Sequence, residues 1–364
     1  MQTTTSTGRA RAFDRERRAI FLEKADIALA DADLASLASA PDAALGIDDA
    51  CLARARAAFG IDPSARIVRA ASQGTFHRLY DVHEPGREPR LLRIAAIAGE
   101  PAADRMAAEC GVLAALRAEG LPVPACGFHA VATDGERRGA HLLERMAGVP
   151  LSAFDEDEAR MAPALEQAAR LLARVHRLQG AGFGPVSLES ATAARSAASL
   201  RGVHEHWRSH VCVGLEAHVR ACEAAGAISR VEAAEVVARF ASAHEALRDA
   251  ASALLHGDPG SHNFIVQGGA ISGLVDWEDA LLGDPLFDLA SLTTFQPERR
   301  HAALWSAYGA RMRAGGDEWQ RFWLYFLRIA LAKTVHRRRF GYADRAGRPP
   351  ASRRIQLALE RLQA

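Results

Sequence analysis

Residues 10–60 set Ala and Leu at helical spacing among Arg and Asp, broken near Ala40–Pro41–Asp42 and ended by Phe59–Gly60–Ile61–Asp62–Pro63, so two or three helices are predicted. The pattern then shortens to strand alternation over Ile67–Ala71, Arg78–His83 and Arg90–Ala95, with turn signals at Gln73–Gly74–Thr75 and Glu84–Pro85–Gly86. Helical spacing returns over Ala102–Glu119 and is closed by Gly120 and Pro122. Cys126–Thr133 and Gly139–Glu144 read as two further strands around Asp134–Gly135. Beyond Gly148–Val149–Pro150 the spacing is helical to about Leu255, with candidates at Glu156–Leu178, Arg195–Ala224 and Ser229–Leu254 and a loop at Gly180–Pro185. Two short strands, Phe264–Val266 and Ile271–Val275, flank Gly268–Gly269, and the remainder is helical.

This order predicts an α+β chain in two lobes. An N-terminal helical extension covers 1–45, a lobe of five antiparallel strands and one helix covers 46–147, and a larger, mainly helical lobe covers 148–364. A length of 364 residues exceeds what one core usually serves, so two lobes with a cleft are expected. The 49% hydrophobic and 24% charged content suffices for a sizeable core.

Charge narrows the function classes. A formal net charge of +1 gives no field to draw in a nucleic acid backbone. The C-terminal stretch is locally basic: Arg328, Lys333, Arg337, Arg338, Arg339, Arg345, Arg348, Arg353 and Arg354 face a single acid, Asp344, and read first as a solvated helix face with a loose end, and otherwise as a binding face for nucleotide or acceptor phosphate. Only Lys24 and Lys333 are lysines; the other basic residues are all arginine, a bias that fits a GC-rich coding genome. Cys51, Cys110, Cys126, Cys212 and Cys222 form no CxxC pair and suit a reducing compartment. No apolar run approaches the ~20 residues that span a bilayer. The N-terminus lacks the apolar core of a secretory signal, and a cytoplasmic location is expected.

The chemistry concentrates in His256–Glu278. His256–Gly257–Asp258–Pro259–Gly260–Ser261–His262–Asn263 places an Asp five residues before an Asn, and Asp276 follows in Val275–Asp276–Trp277–Glu278. A hairpin over Phe264–Val275 would bring Asn263 and Asp276 to one open end, with Asp258 on the loop leading in. Mg²⁺ prefers oxygen ligands and keeps several waters, so a carboxylate, an amide oxygen and nucleotide phosphates suffice to hold it. A further carboxylate can take the proton of an acceptor hydroxyl. The spacing equals that of the protein-kinase pattern H-R-D-x-x-x-x-N. Asp258 is therefore the expected catalytic base, with Asn263 and Asp276 as Mg²⁺ ligands and ATP or GTP as donor. His256 is expected to pack behind the loop, and Asp284 and Asp288 to brace it and cap a helix.

HGDPGSHNFIV followed by GLVDWEDALLGDPLFDLASL resembles the catalytic and metal motifs of the aminoglycoside phosphotransferase and choline kinase-like family, over roughly residues 47–345. The resemblance implies a two-lobed, protein-kinase-like fold. It places Gly74 and Thr75 in the phosphate-covering hairpin and Arg93 on the strand that carries the kinase lysine. Glu109, on the following helix, would be the partner of Arg93, and the adenine would meet backbone around Glu144–Met146. The family's lysine is missing here, and a guanidinium can hold α- and β-phosphates bidentately.

The expected acceptor is a small-molecule hydroxyl, with Glu278 and Asp279 as acceptor-side candidates. The loop with Gly260–Ser261 most resembles that of hygromycin-type antibiotic kinases. Choline, sugar, homoserine or macrolide acceptors, and a nucleotide-binding regulatory module without turnover, stay open at this point.

Overall fold

A computed structural model describes residues 40–363 other than 72, 75, 134–135, 250, 340 and 343–347. The expected helices before residue 40 lie outside the described residues. The described chain forms two compact units, one of residues 40–146 with 187–200 and one of 147–186 with 201–363.

The first unit is built on a sheet of order β1-β2-β3-β5-β4, with every neighbour antiparallel. Its elements are α1 (Asp49–Ala58), β1 (Arg66–Arg69), β2 (His77–His83), β3 (Arg90–Ala95), α2 (Glu100–Ala118), β4 (Cys126–Thr133) and β5 (Glu136–Glu144). Alternation on β2 buries Arg78, Tyr80 and Val82, and Tyr80 and Val82 join Ile47, Cys51, Leu92, Ile94 and Leu142 in one core. Arg78, fully buried, is compensated by Asp42, whose carboxylate also accepts from the Tyr80 hydroxyl. The short helix Leu188–Ala193 packs on α2 at Gly111, where a Cβ would collide with the Ala191 carbonyl oxygen.

In the second unit, β6 (Val149–Pro150) extends the hairpin of β10 (Phe264–Gln267) and β11 (Ala270–Leu274). A four-stranded sheet of order β8-β7-β12-β9 joins β7 (Phe183–Val186), β8 (Gly202–His204), β9 (Ala253–Leu255) and β12 (Leu281–Gly283). The helices are α3 (Glu158–Val175), α4 (Trp207–Val211), α5 (Leu215–Ala224), α6 (Arg230–Ser242), α7 (Leu286–Thr294), α8 (His301–Tyr308), α9 (Asp317–Arg339) and α10 (Ala351–Gln363). An apolar core including Trp207, Phe240, Phe287, Phe322, Trp323 and Phe326 lies among them. Among the described residues no helix is long and apolar enough to cross a membrane.

Three local expectations are corrected here. The helix predicted over Arg195–Ala224 is broken into β8, α4 and α5: Gly202 sits against the backbone of Phe183, and Gly214 takes a left-handed conformation (φ 62°). The helix predicted over Ser229–Leu254 stops at Ser242, and Ala253–Leu255 pairs with β12 instead. Phe183–Pro185, read as loop, belongs to β7. In each case a three- or four-residue strand is set by its distant partner rather than by local periodicity.

The basic C-terminal stretch is also corrected. Arg328 and Arg354 are buried, and Lys333 and Arg348 each ion-pair with an aspartate. Asp344 and Arg345 lie outside the described residues.

Candidate functional site

In the second unit the site begins where β9 ends. His256 is fully buried, and its backbone N–H donates to Asp288 Oδ2 (2.6 Å) while Gly257 N–H donates to Asp288 Oδ1 (3.0 Å). One carboxylate thus fixes two successive peptides of the loop. Asp288 is itself fully buried and also bonds His176 Nε2 (3.1 Å), whose Nδ1 meets the Tyr308 hydroxyl at 2.7 Å. His256 Nε2 donates to Val275 O (2.9 Å), which leaves Nδ1 to accept from Asp258 N–H (3.3 Å). Both ring nitrogens are committed to backbone, so the imidazole packs behind the loop. Gly257 is left-handed (φ 85°), and a Cβ there would collide with the Asp279 carbonyl oxygen. Asp284 caps α7 through Leu286 N–H and accepts from Arg321 and from the Tyr325 hydroxyl, whose pKa burial pushes well up.

Asn263 and Asp276 meet at the open end of the β10–β11 hairpin. Phe264 lies opposite Leu274, and Val275 N–H donates to Asn263 O (2.9 Å), which sets Asp276 one residue beyond the pairing. Asn263 is buried, and its Nδ2 donates to Asp258 O at 2.9 Å. That bond orients the amide so that Oδ1 is the atom it can offer a ligand. Asp276 has φ 67° and is the one non-glycine residue with positive φ among those described. A left-handed conformation costs an L-residue roughly 1–2 kcal/mol, less for Asp, and such outliers cluster at functional sites.

Two cations from the C-terminal stretch reach this loop. Lys333 Nζ, on α9, lies 3.0 Å from Asp258 Oδ1. Arg348 forks onto Asp155 (2.6 and 2.7 Å) and donates to Ser261 Oγ at 2.8 Å. Neither stands in the set drawn from sequence. The sequence signals for Lys333 are its place in the basic stretch, whose second reading is a phosphate-binding face, and its rarity, since two of the 45 lysines and arginines are lysine. Glu278 is half-buried and Asp279 buried, both directly after the Asp276 motif.

The first unit holds the other candidates. Arg93, on β3, is 6% exposed and Glu109, on α2, is 3% exposed, so neither is a strand-surface or helix-surface residue. Arg93 Nη1 bonds both Glu109 oxygens (2.8 and 2.9 Å), and Nη2 lies 3.0 Å from His77 Nδ1. Gly74 accepts from Arg78 Nη1 through its carbonyl (3.2 Å), and Thr75 lies outside the described residues. The Glu144 carboxylate is held by Arg117 and by Ala125 N–H, and its own N–H donates to Ala125 O. Among the described residues no backbone hydrogen bond engages the peptide groups of Met146.

Among the described residues no cluster of three or more His, Cys, Asp or Glu could cage a metal by itself. Asn263 and Asp276 suit a metal held partly by phosphates and water, as Mg²⁺ is in nucleotide sites.

The family model described as "Phosphotransferase enzyme family" matches residues 67–339. Hygromycin-B 4-O-kinase of Escherichia coli is 27% identical over 208 residues, which are 52% of this chain; the chain spans about half (53%) of that relative. Among solved structures, a thermostable mutant of aminoglycoside phosphotransferase APH(4)-Ia in ternary complex with AMP-PNP and hygromycin B matches with TM-score 0.60 and 19% identity, over 84% of this chain and 97% of that one. The GDP and kanamycin complex of APH(2")-IIIa matches with TM-score 0.51 and 14% identity, over 87% and 98%.

Proposed function

This chain belongs to the phosphotransferase enzyme family, and from that premise we propose that it transfers the γ-phosphoryl group of a nucleoside triphosphate to a hydroxyl of a small molecule. The observation that carries the proposal is the convergence of Asp258, Asn263 and the left-handed Asp276 at one end of a hairpin, on a loop fixed by Asp288. Asp258 accepts the acceptor proton, and Asn263 Oδ1 and the Asp276 carboxylate hold Mg²⁺. When bound, Mg²⁺ supplies charge neutralisation at the phosphates. Arg93, oriented by Glu109, binds α- and β-phosphate oxygens, and the Met146 backbone takes the base. Supporting a nucleotide donor, one structural relative carries AMP-PNP and another GDP.

For the acceptor, the 27% identity to a hygromycin-B kinase favours an aminoglycoside-like natural product. Glu278 and Asp279 supply acidic groups for a cationic acceptor. A cytoplasmic location belongs to the same proposal. The test is ADP release with Mg²⁺ and either ATP or GTP, against aminoglycosides, macrolides, choline, sugars and homoserine. No acceptor-dependent release from any of these would reject the reading.

The regulatory alternative rests on the missing lysine, and Arg93 decides it. Arg93→Ala should raise the nucleotide KM about tenfold or more, in line with loss of a charge-assisted phosphate contact. It should also cost about 3–5 kcal/mol of stability, because Glu109 is left buried without its guanidinium. Arg93→Ala combined with Glu109→Ala should recover stability but not nucleotide affinity. Wild-type affinity in the double variant would make the pair purely structural.

Asp276→Gly separates chemistry from fold. Glycine removes the φ penalty but adds freedom to the unfolded chain, so urea unfolding should show stability unchanged or raised by up to about 1 kcal/mol. Mg²⁺-dependent nucleotide binding, followed by calorimetry, should disappear. A variant that still needs Mg²⁺ for binding would remove Asp276 from the metal site.

A further inference from the structure

We propose that Lys333 is a catalytic residue: its ammonium, held against Asp258, is the cation that neutralises the oxygens of the phosphoryl group as it passes to the acceptor. The inference rests on the phosphotransfer reading above and extends it to a residue outside both motifs. Lys333 Nζ is 3.0 Å from Asp258 Oδ1, and the side chains are 23% and 17% exposed, so the pair sits at a surface a substrate can reach. An ion pair that solvent still reaches adds little stability, which is little reason for placing a cation there. An ammonium on a proton acceptor also opposes proton uptake, unless it gains a better partner as the transfer proceeds.

The reaction geometry supplies that partner. A general base lies about 2.6–3.2 Å from the acceptor oxygen, and that oxygen about 3–3.5 Å from phosphorus at the point of attack. The phosphoryl oxygens therefore pass within reach of a flexible lysine already in contact with the base. Asp258 is the one hydrogen-bond partner of Nζ among the described residues, and an ammonium has three donors. Pro259, Gly260 and Ser261 are neutral, and Arg348, the other cation that reaches the loop, is engaged by Asp155 and by Ser261 Oγ. Residue choice fits as well: in a chain whose basic residues are almost all arginine, the position on the base carries the compact, rotatable ammonium.

In the proposed step the acceptor O–H proton passes to the Asp258 carboxylate as the acceptor oxygen bonds to γ-phosphorus. The bond from that phosphorus to its bridging oxygen breaks, and its electron pair leaves on the β-phosphate of the nucleoside diphosphate. As Asp258 loses its charge, Lys333 turns to the phosphoryl oxygens and keeps all its protons.

The test compares wild type, Lys333→Met, Lys333→Ala and Asp258→Asn. MgADP binding is measured by calorimetry with and without aluminium fluoride, a phosphoryl mimic, and ADP release with hygromycin B and with water as acceptors. Lys333→Met should bind MgADP as wild type does, lose tenfold or more in affinity for the fluoride complex, and fall about 10²-fold in kcat. Added ethylamine should restore part of the Lys333→Ala rate. If Asp258→Asn loses turnover while Lys333→Met keeps both turnover and fluoride binding, Lys333 is a surface ion pair and only this inference falls. Turnover lost with fluoride binding intact and no amine rescue would mean an architectural role and would also overturn it. Wild type without ADP release toward any acceptor of the wider panel removes the phosphotransfer reading and this inference together, whereas Asp258→Asn with wild-type release dismisses Asp258 as the base and overturns this inference.

Discussion

Asp258→Asn is expected to lower kcat about 10³-fold while leaving MgATP affinity near that of wild type. A positioned general base contributes on the order of 10²–10⁴ in rate, and an amide cannot take the acceptor proton. Binding should survive because the loop is not held by this carboxylate. Asp288 fixes the backbone at His256 and Gly257, and the Asp258 backbone carbonyl, which anchors Asn263, is the same in the variant. ADP release beside calorimetric binding reads both quantities. Turnover within tenfold of wild type would dismiss Asp258 as the base. Loss of binding in parallel with turnover would place the carboxylate in nucleotide binding instead.

The largest stability effect is expected at Arg328. Its side chain is completely buried, with Nε on Val211 O (2.7 Å), Nη2 on Val213 O (2.5 Å) and Nη1 at 2.9 Å from His218 Nδ1. Burial lowers its pKa to about 10, so the guanidinium stays charged at neutral pH and ties down the turn between α4 and α5. Arg328→Ala removes the donors of two carbonyls, each costing about 1–3 kcal/mol when left unsatisfied, and opens a cavity besides. A loss of about 4 kcal/mol or more follows, a large share of the roughly 5–15 kcal/mol that holds a domain together. Arg328→Lys, which keeps the charge but not the fork, should fall between the two. The urea midpoint and slope measure both; a loss below about 1 kcal/mol for the alanine variant would contradict the burial.

Legibility from sequence followed the range of the interaction. The β10–β11 hairpin could be read because its pairing is local, and with it came the meeting of Asn263 and Asp276. The Arg93–Glu109 pair came from the family resemblance, which sets it on a strand and the next helix, 16 residues apart. Lys333 reaches Asp258 across 75 residues and Arg348 reaches Asp155 across 193, and no periodicity encodes either. Arg328 was read with the solvated face because charge usually marks exposure. Yet α9 buries nearly every residue from Trp319 to Val335, so it has no solvent stripe there against which a charge could be judged. The short strands β7, β9 and β12 were hidden for a related reason: each is too brief to show alternation and is defined by its neighbour.

The contact of Leu188–Ala193 with α2 has a consequence for dissecting this protein. Because 187–200 belongs with the first unit while the residues on either side of it belong with the second, the polypeptide leaves one body, visits the other and returns. A recombinant fragment ending at Met146 would carry all five strands of the sheet. It would still expose the flat face of α2 around Gly111, shaped for a backbone that the truncation removes. Neither body is therefore a transferable cassette, and a chimaera meant to exchange donor preference between relatives has to carry two separated stretches of chain together.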